Sequence, residues 1–204
     1  MMSRTLPGLL ILMLLLSPIQ AKAGLPLDTI KEHVNSVLDV LRNPALQGEA
    51  NKEAKEQKIE SIANQMFDYV ALSRLTLGRS WRDFNKEQQK EFVSLYRTIL
   101  KKAYMDKILT YTDEKVVFDK EMMLAENKAE VQTRIITKSA DIPISYRVYL
   151  KDGQWRVYDV IVEGISLVQN YRTQFREILA NNPPEEVLKI LRQKTGEAQS
   201  EKSQ

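Results

Sequence analysis

The chain has 204 residues, 43% of them hydrophobic, with 30 Lys and Arg, 27 Asp and Glu, one His and no Cys. That length fits one domain with a substantial core, and without cysteine its stability has to come from packing rather than disulfides. The formal charge of +3 comes with no Lys/Arg cluster interleaved with aromatics, which argues against a nucleic-acid interface, and the lone His33 supplies no structural zinc site.

Residues 1–23 carry the three parts of a secretory signal peptide. Arg4 supplies the positive start, Leu9 to Leu16 form an unbroken apolar run, and Ala21-Lys22-Ala23 is the cleavage site. A run that short cannot cross about 30 Å of hydrocarbon as a helix, and no Cys follows it to carry a lipid anchor. Export and cleavage are therefore expected. Cleavage takes Arg4 and Lys22 and no acid, leaving 28 bases against 27 acids, so the remaining charge says little about anionic partners. The rest is expected to form one domain over residues 24–194 and a polar, disordered tail over 195–204.

The helical spacing of Leu27, Ile30, Val34, Val37, Leu38 and Leu41 predicts a first helix over 24–42, stopped by Asn43-Pro44. After a polar loop, Ile59, Ile62, Ala63, Met66, Phe67 and Val70 mark the stripe of a second helix leading into FDYVALSRLTLG, where Gly78 reads as a C-cap. A short connection from Arg79 to Phe84 contains Trp81. Asn85 and Gln88 form a capping-box pattern for the longest helix, Lys86 to Tyr111. Its apolar face holds Phe92, Leu95, Tyr96, Ile99, Leu100, Ala103, Tyr104, Ile108 and Tyr111, a width expected of a helix that covers a sheet. The tyrosines on it bring an apolar ring with a polar tip, useful where one end of a cavity is wet; any one of them reads equally as half-buried core.

Four strands are expected next. Lys115 to Leu124 alternates with Val116, Phe118, Met122 and Leu124 on one face; Glu126-Asn127-Lys128 turns the chain; Glu130 to Lys138 points Val131, Thr133 and Ile135 inward. The last two strands flank Asp152-Gly153, a dipeptide suited to the positive φ angles of a two-residue hairpin. That turn would set Leu150 opposite Trp155, Val148 opposite Val157, Tyr146 opposite Asp159 and Ile144 opposite Ile161, an apolar face with one carboxylate in it. Tyr149, Arg156, Arg147 and Tyr158 fall on the wetter face. Glu163-Gly164 breaks the strand, Ser166 with Gln169 opens an amphipathic helix, and Asn182-Pro183-Pro184-Glu185 starts a last one carrying Val187, Leu188 and Leu191. Short loops between consecutive strands favour an antiparallel order. The fold class is therefore α+β: a four-stranded curved antiparallel sheet covered by about six helices and enclosing an apolar cavity.

Catalytic chemistry finds no foothold. Ser166 follows Gly164 without the second glycine of a nucleophile elbow, and seven glycines leave no phosphate-cradling loop. Asp113-Glu114 reads as a solvated turn beside Lys115. Asp159 stands out, because a carboxylate on an apolar face must be hydrogen-bonded. Either Tyr146 or the nearby helix N-terminus satisfies it, or it meets a ligand head group. Arg147 and Arg172 could meet a phosphate or simply be solvated.

WRVYDVIVEGISLVQNYRTQF, residues 155–175, resembles the MlaC or toluene-tolerance family, and FDYVALSRLTLG, residues 67–78, resembles that family's aspartate-led helix ending in Leu-Gly. The resemblance is strong from Tyr146 to Phe175, moderate from Phe67 to Val117, and weak in the first helix and the tail. Its members are periplasmic phospholipid-binding proteins of an ABC-transporter-linked lipid pathway in Gram-negative bacteria. It implies a soluble carrier without a cofactor, a phospholipid ligand, and two membrane partners. These are an inner-membrane MCE-domain protein of an ABC transporter complex and an outer-membrane lipoprotein–porin complex. A monomer is expected.

At about 0.8 kcal/mol per buried CH₂, hiding two acyl chains from water is a matter of tens of kcal/mol, so a carrier needs an elongated dry cavity. The residues expected along it are Tyr96, Leu100, Tyr104 and Ile108 from the long helix, with Phe118, Tyr146, Val148, Val157, Ile161, Ile165 and Val168 from the sheet and the helix after it. The competing reading is a periplasmic interaction module with an ordinary packed core and no lipid. Periodicity alone does not separate the two, because an apolar stripe looks the same against a core or a fatty chain.

Overall fold

The computed structural model describes residues 25–111 and 114–196; the expected signal peptide, Asp113 and the tail from Glu197 lie outside the described residues. In chain order the helices are α1 (Pro26–Arg42), α2 (Lys52–Met66), α3 (Tyr69–Leu77), α4 (Lys86–Leu109), α5 (Leu167–Leu179) and α6 (Pro184–Thr195). The strands, all between α4 and α5, are β1 (Lys115–Ala125), β2 (Lys128–Ile136), β3 (Asp141–Lys151), β4 (Gln154–Val162) and β5 (Ile165–Ser166). They form one antiparallel sheet in the order β1-β2-β3-β4-β5. The fold is α+β as expected, with five strands rather than four. The fifth is short: Glu163 and Gly164, with φ of 50° and 82°, fold the chain back so that Ile165 and Ser166 pair with Val162 and Ile161 before α5 begins.

Local chemistry accounts for the ends of these elements. Asn85 and Gln88 form the reciprocal capping box of α4. Pro184 stands in the first turn of α6 with Glu185 and Glu186, where fixed φ and negative charge both favour a helix start. The second helix divides in two, because Phe67 and Asp68 leave helical geometry and join the edge of β4. Phe67 bridges Val157, and the Asp68 N–H donates to the Val157 carbonyl at 2.9 Å. Asp68 then caps α3 through Ala71 N–H at 2.9 Å. The start of α1 has no side-chain cap of its own, and the Glu121 carboxylate of β1 accepts from Leu27 N–H at 2.7 Å in its place.

Two bulges reset the alternation that the sequence suggested. At Asp152-Gly153 the hairpin forms with φ of 51° and 77°, and Leu150 faces Trp155 and Val148 faces Val157. Beyond that, Tyr158 is an extra residue: Arg147 pairs with Asp159, Tyr146 with Val160, Ser145 with Ile161 and Ile144 with Val162. Asp159 and Ile161 therefore leave the inner face, and Val160 and Val162 take it. In β1 the register slips at Asp119, so Phe118 points inward while Met122 and Leu124 are exposed.

The long helix does not cover the sheet as expected. α4 packs chiefly on α6 and α3, with no more than marginal contact with any strand; α1 covers β1 and β2, and α2, α3 and α5 meet β4. Burial follows this division. One apolar cluster joins α3, α4, α5 and α6 around Phe92, Leu95, Tyr96 and Phe175. A second lies between α1 and the sheet around Ile30, Val131, Val148 and Val157. A third, smaller one joins α1, α2 and the far half of α4 through Leu41, Ile59 and Met105.

Candidate functional site

Apolar side chains packed against the three clusters are only partly covered, and they mark a seam among the clusters. From α4 come Leu100 beside the helical cluster and Ile108 beside the third, with the half-buried Tyr104 between them in sequence. From the sheet come Phe118, Ile144, Tyr146 and Val162, all bordering the second cluster. Tyr171 of α5, also partly covered, packs on the helical cluster with its ring centre 5.1 Å from that of Tyr96. A domain of this size ordinarily builds one contiguous core. Here the buried side chains fall into three clusters, the two larger ones bridged by Phe67, with partly covered aromatic and aliphatic side chains packed against each.

The phenols of this region are poorly solvated. Burial pushes Tyr146 up to about 12, eased by the Thr133 hydroxyl, with the nearby Tyr111 adding to the rise. Burial likewise raises Tyr104 and Tyr171, and for Tyr104 the Tyr171 phenol adds to the effect. Neutral phenols held this way offer a ring to an alkyl chain and a hydroxyl to a polar group.

The predicted residues separate into groups. Leu100, Tyr104, Ile108, Phe118 and Tyr146 border the seam. Val148 and Val157 are fully buried in the sheet cluster beneath it. Tyr96 and Val168 belong to the helical core, where the Tyr96 hydroxyl accepts from Thr76 Oγ1 at 3.3 Å. Two placements are corrected. The Tyr158 bulge turns Ile161 to the opposite face, and Ile165, in the edge strand after the Glu163-Gly164 turn, is 62% exposed. Sequence reasoning missed Val160 and Val162, because no glycine or proline marks the bulge. It also missed Tyr171, which the spacing of Val168, Tyr171 and Phe175 could have supplied.

Asp159 is satisfied structurally, though not by Tyr146. Its carboxylate accepts from Ser166 Oγ at 2.7 Å and from Val168 N–H at 3.1 Å, with Arg147 Nη1 at 3.8 Å. Ser166 in turn accepts from Gln169 N–H at 3.1 Å, so two side chains hold the first turn of α5 against β4. The two candidate phosphate arginines are likewise engaged: Arg147 with Glu130 at 3.1 Å, and Arg172 with the Leu75 carbonyl at 2.9 Å. On the outer side, burial raises the Asp68 carboxyl, but hydrogen bonds from Lys151, Tyr149 and Ala71 N–H outweigh it and hold the group below its usual range.

Cavities bounded by described residues include one of about 410 Å³ at the α2–α3 junction, lined by Asn64, Asp68, Lys151, Asp152 and Arg156 among others. Another, of about 350 Å³, lies among Glu56, Lys101, Lys102, Met105 and Asp106. Phe67, Tyr69 and Val70 also line the first, so both linings mix charged and apolar groups, and neither cavity touches the predicted residues.

The class these features define is an α+β domain with an open five-stranded antiparallel sheet, six helices and buried side chains in three clusters. A family profile described as MlaC protein matches residues 31–193, and the chain belongs to the MlaC family. It is similar to the intermembrane phospholipid transport system binding protein MlaC of Haemophilus influenzae, 24% identical over 117 residues, or 53% of this chain and about half (55%) of that protein. It is also similar to the toluene tolerance protein ttg2D of Pseudomonas putida, 23% identical over 177 residues, covering 86% of this chain and 82% of that one. Among solved structures, the phospholipid-binding protein from Ralstonia solanacearum, in complex with a phospholipid, aligns with a TM-score of 0.75 at 20% identity. The alignment covers 85% of this chain and 98% of that one. At that identity the likeness is one of fold.

Proposed function

We propose that this protein is a periplasmic phospholipid carrier that holds acyl chains in the seam between α4, α5, α1 and the sheet. It would pass lipid between an inner-membrane MCE-domain protein of an ABC transporter complex and an outer-membrane lipoprotein–porin complex. One observation supports the reading: the buried side chains fall into three clusters, and Leu100, Ile108, Phe118 and Tyr146, packed against them, stay only partly covered, as does Tyr104 on the same helix as Leu100 and Ile108. The lipid named for the Ralstonia protein and the transport role named for the Haemophilus protein support it.

In this reading the chains enter by parting α4 from the sheet, where little direct packing has to be broken. Val148 and Val157 form the floor. At about 0.8 kcal/mol for each methylene taken from water, the filled state is strongly favoured over free lipid in solution, and release needs a partner that favours the emptied conformation. No catalytic role is assigned to any residue.

The test is lipid content. Protein purified from the envelope should carry extractable phospholipid, and Leu100→Trp, which fills the seam, should lower the load several-fold while the protein stays folded. An unchanged load in folded Leu100→Trp would place the acyl chains elsewhere. Lipid-free protein that takes none from vesicles would favour the packed interaction module.

A further inference from the structure

α3 buries two hydroxyl side chains and exposes two aliphatic ones. Its buried arc holds Ser73 and Thr76 beside Leu72 and Leu77, with the Ser73 hydroxyl lacking a hydrogen-bond partner among the described residues. Its outward arc carries Val70, 54% exposed, Leu75, 38% exposed, and the partly covered Ala71, with the exposed Arg74 among them. The polar groups would be cheaper outside and the apolar ones inside, so the exposed arc invites an explanation beyond packing.

Charge supplies it. The 3₁₀ turn that follows, Gly78–Asp83, adds exposed Arg79 and Arg82, and Arg74, Arg79 and Arg82 form none of the ion pairs between described residues. The one acid within this stretch is Asp83. α5 reinforces the site from beneath: Arg172 donates to the Leu75 carbonyl, bracing the C-terminal end of α3, and exposed Arg176 follows one turn later. Unpaired guanidiniums around exposed apolar side chains are the composition of an interfacial helix on an anionic bilayer. The arginines meet phosphates while valine and leucine enter the head-group boundary.

We propose that the outer face of α3 with the turn after it, Val70, Arg74, Leu75, Arg79 and Arg82, docks the protein on a phospholipid bilayer bearing anionic head groups. The face is separate from the seam that holds acyl chains in the proposed function, so the two are tested independently. The signal-peptide-free chain is sedimented with vesicles of phosphatidylcholine alone, or of phosphatidylcholine and phosphatidylglycerol in equal parts, at low and high salt.

The protein should partition to the anionic vesicles alone and be released by salt. Each arginine changed to alanine should lower partition about fivefold, and the triple variant Arg74→Ala, Arg79→Ala, Arg82→Ala should abolish it with its melting temperature and lipid load unchanged. Val70→Ser with Leu75→Ser should weaken binding to the anionic vesicles at low salt. Equal partition to both vesicle types, no binding to either, or anionic binding that survives in the triple variant would each overturn the proposal. Such a result would leave the patch to an acidic protein surface.

Discussion

Asp159 tests how the sheet and helices are joined. It is 3% exposed, and its carboxylate accepts from Ser166 Oγ and Val168 N–H at the root of α5. Asp159→Ala strips the acceptor from a buried backbone N–H, which costs about 1–3 kcal/mol. The nearby Arg147 is half-exposed and keeps Glu130, so the lost ion pair adds at most a few tenths of a kcal/mol. Ser166 still caps Gln169, which limits the loss. The sum is about 1–3 kcal/mol, or a fall in Tm of about 2–12 °C for a domain of this size. Asp159→Asn retains an acceptor oxygen and should lose about 1 kcal/mol or less. Urea unfolding of the two variants with the lipid content of each measured in parallel decides the matter. A near-neutral Asp159→Ala that loses lipid would make Asp159 a head-group ligand and refute the structural role.

Gly78 ends α3 at φ 58° and ψ −124°, a region that side chains avoid, while an added Cβ would meet nothing closer than Arg172 Nε at 3.8 Å. Gly78→Ala should therefore cost about 1–3 kcal/mol through the backbone alone, read by urea denaturation; a neutral result would mean the turn relaxes. Tyr146 has its folded value raised from 10.0 to about 12, so its stabilising contribution is complete below pH 10 and is lost as pH climbs through about 12. An alkaline melt should show this loss, and Tyr146→Phe should remove about 2 kcal/mol of it; an identical alkaline profile in Tyr146→Phe would contradict the buried phenol. Asp68 is shifted the other way, so its contribution is present above 3.8 and fades as pH falls through the lower folded value. Asp68→Asn should flatten the acid limb of the stability curve, and an unaltered acid limb would count against the Lys151 and Tyr149 contacts.

Much of the framework can be read from local chemistry. The Asp152-Gly153 turn, the Asn85–Gln88 box and Pro184 are short-range signals, and short-range geometry decides them. Asp68 caps α3 through its own next residues, but helical spacing alone runs one helix through Phe67 and Val70, and the aspartate-led start is implied only by the family resemblance. What escapes the sequence is long-range. The bulges at Tyr158 and Asp119 have no marker residue, yet each reverses every side chain beyond it, sending Ile161 outward and Val160 inward. The wide stripe of α4 is real, but a stripe does not say what it faces: α6 and α3 take it, while α1 takes the sheet. For the same reason Tyr96 and Val168 lie in the helical core and Leu100 and Tyr104 at the seam, although their spacing along the chain is the same kind of pattern.

The central claim is that the seam among the clusters holds acyl chains. Native mass spectrometry of the protein purified from the envelope, before and after mixing with phospholipid vesicles, tests it most directly. The expected result is an added mass equal to one or more phospholipids that survives desolvation and is depleted in Leu100→Trp. Bare protein in both spectra would contradict it.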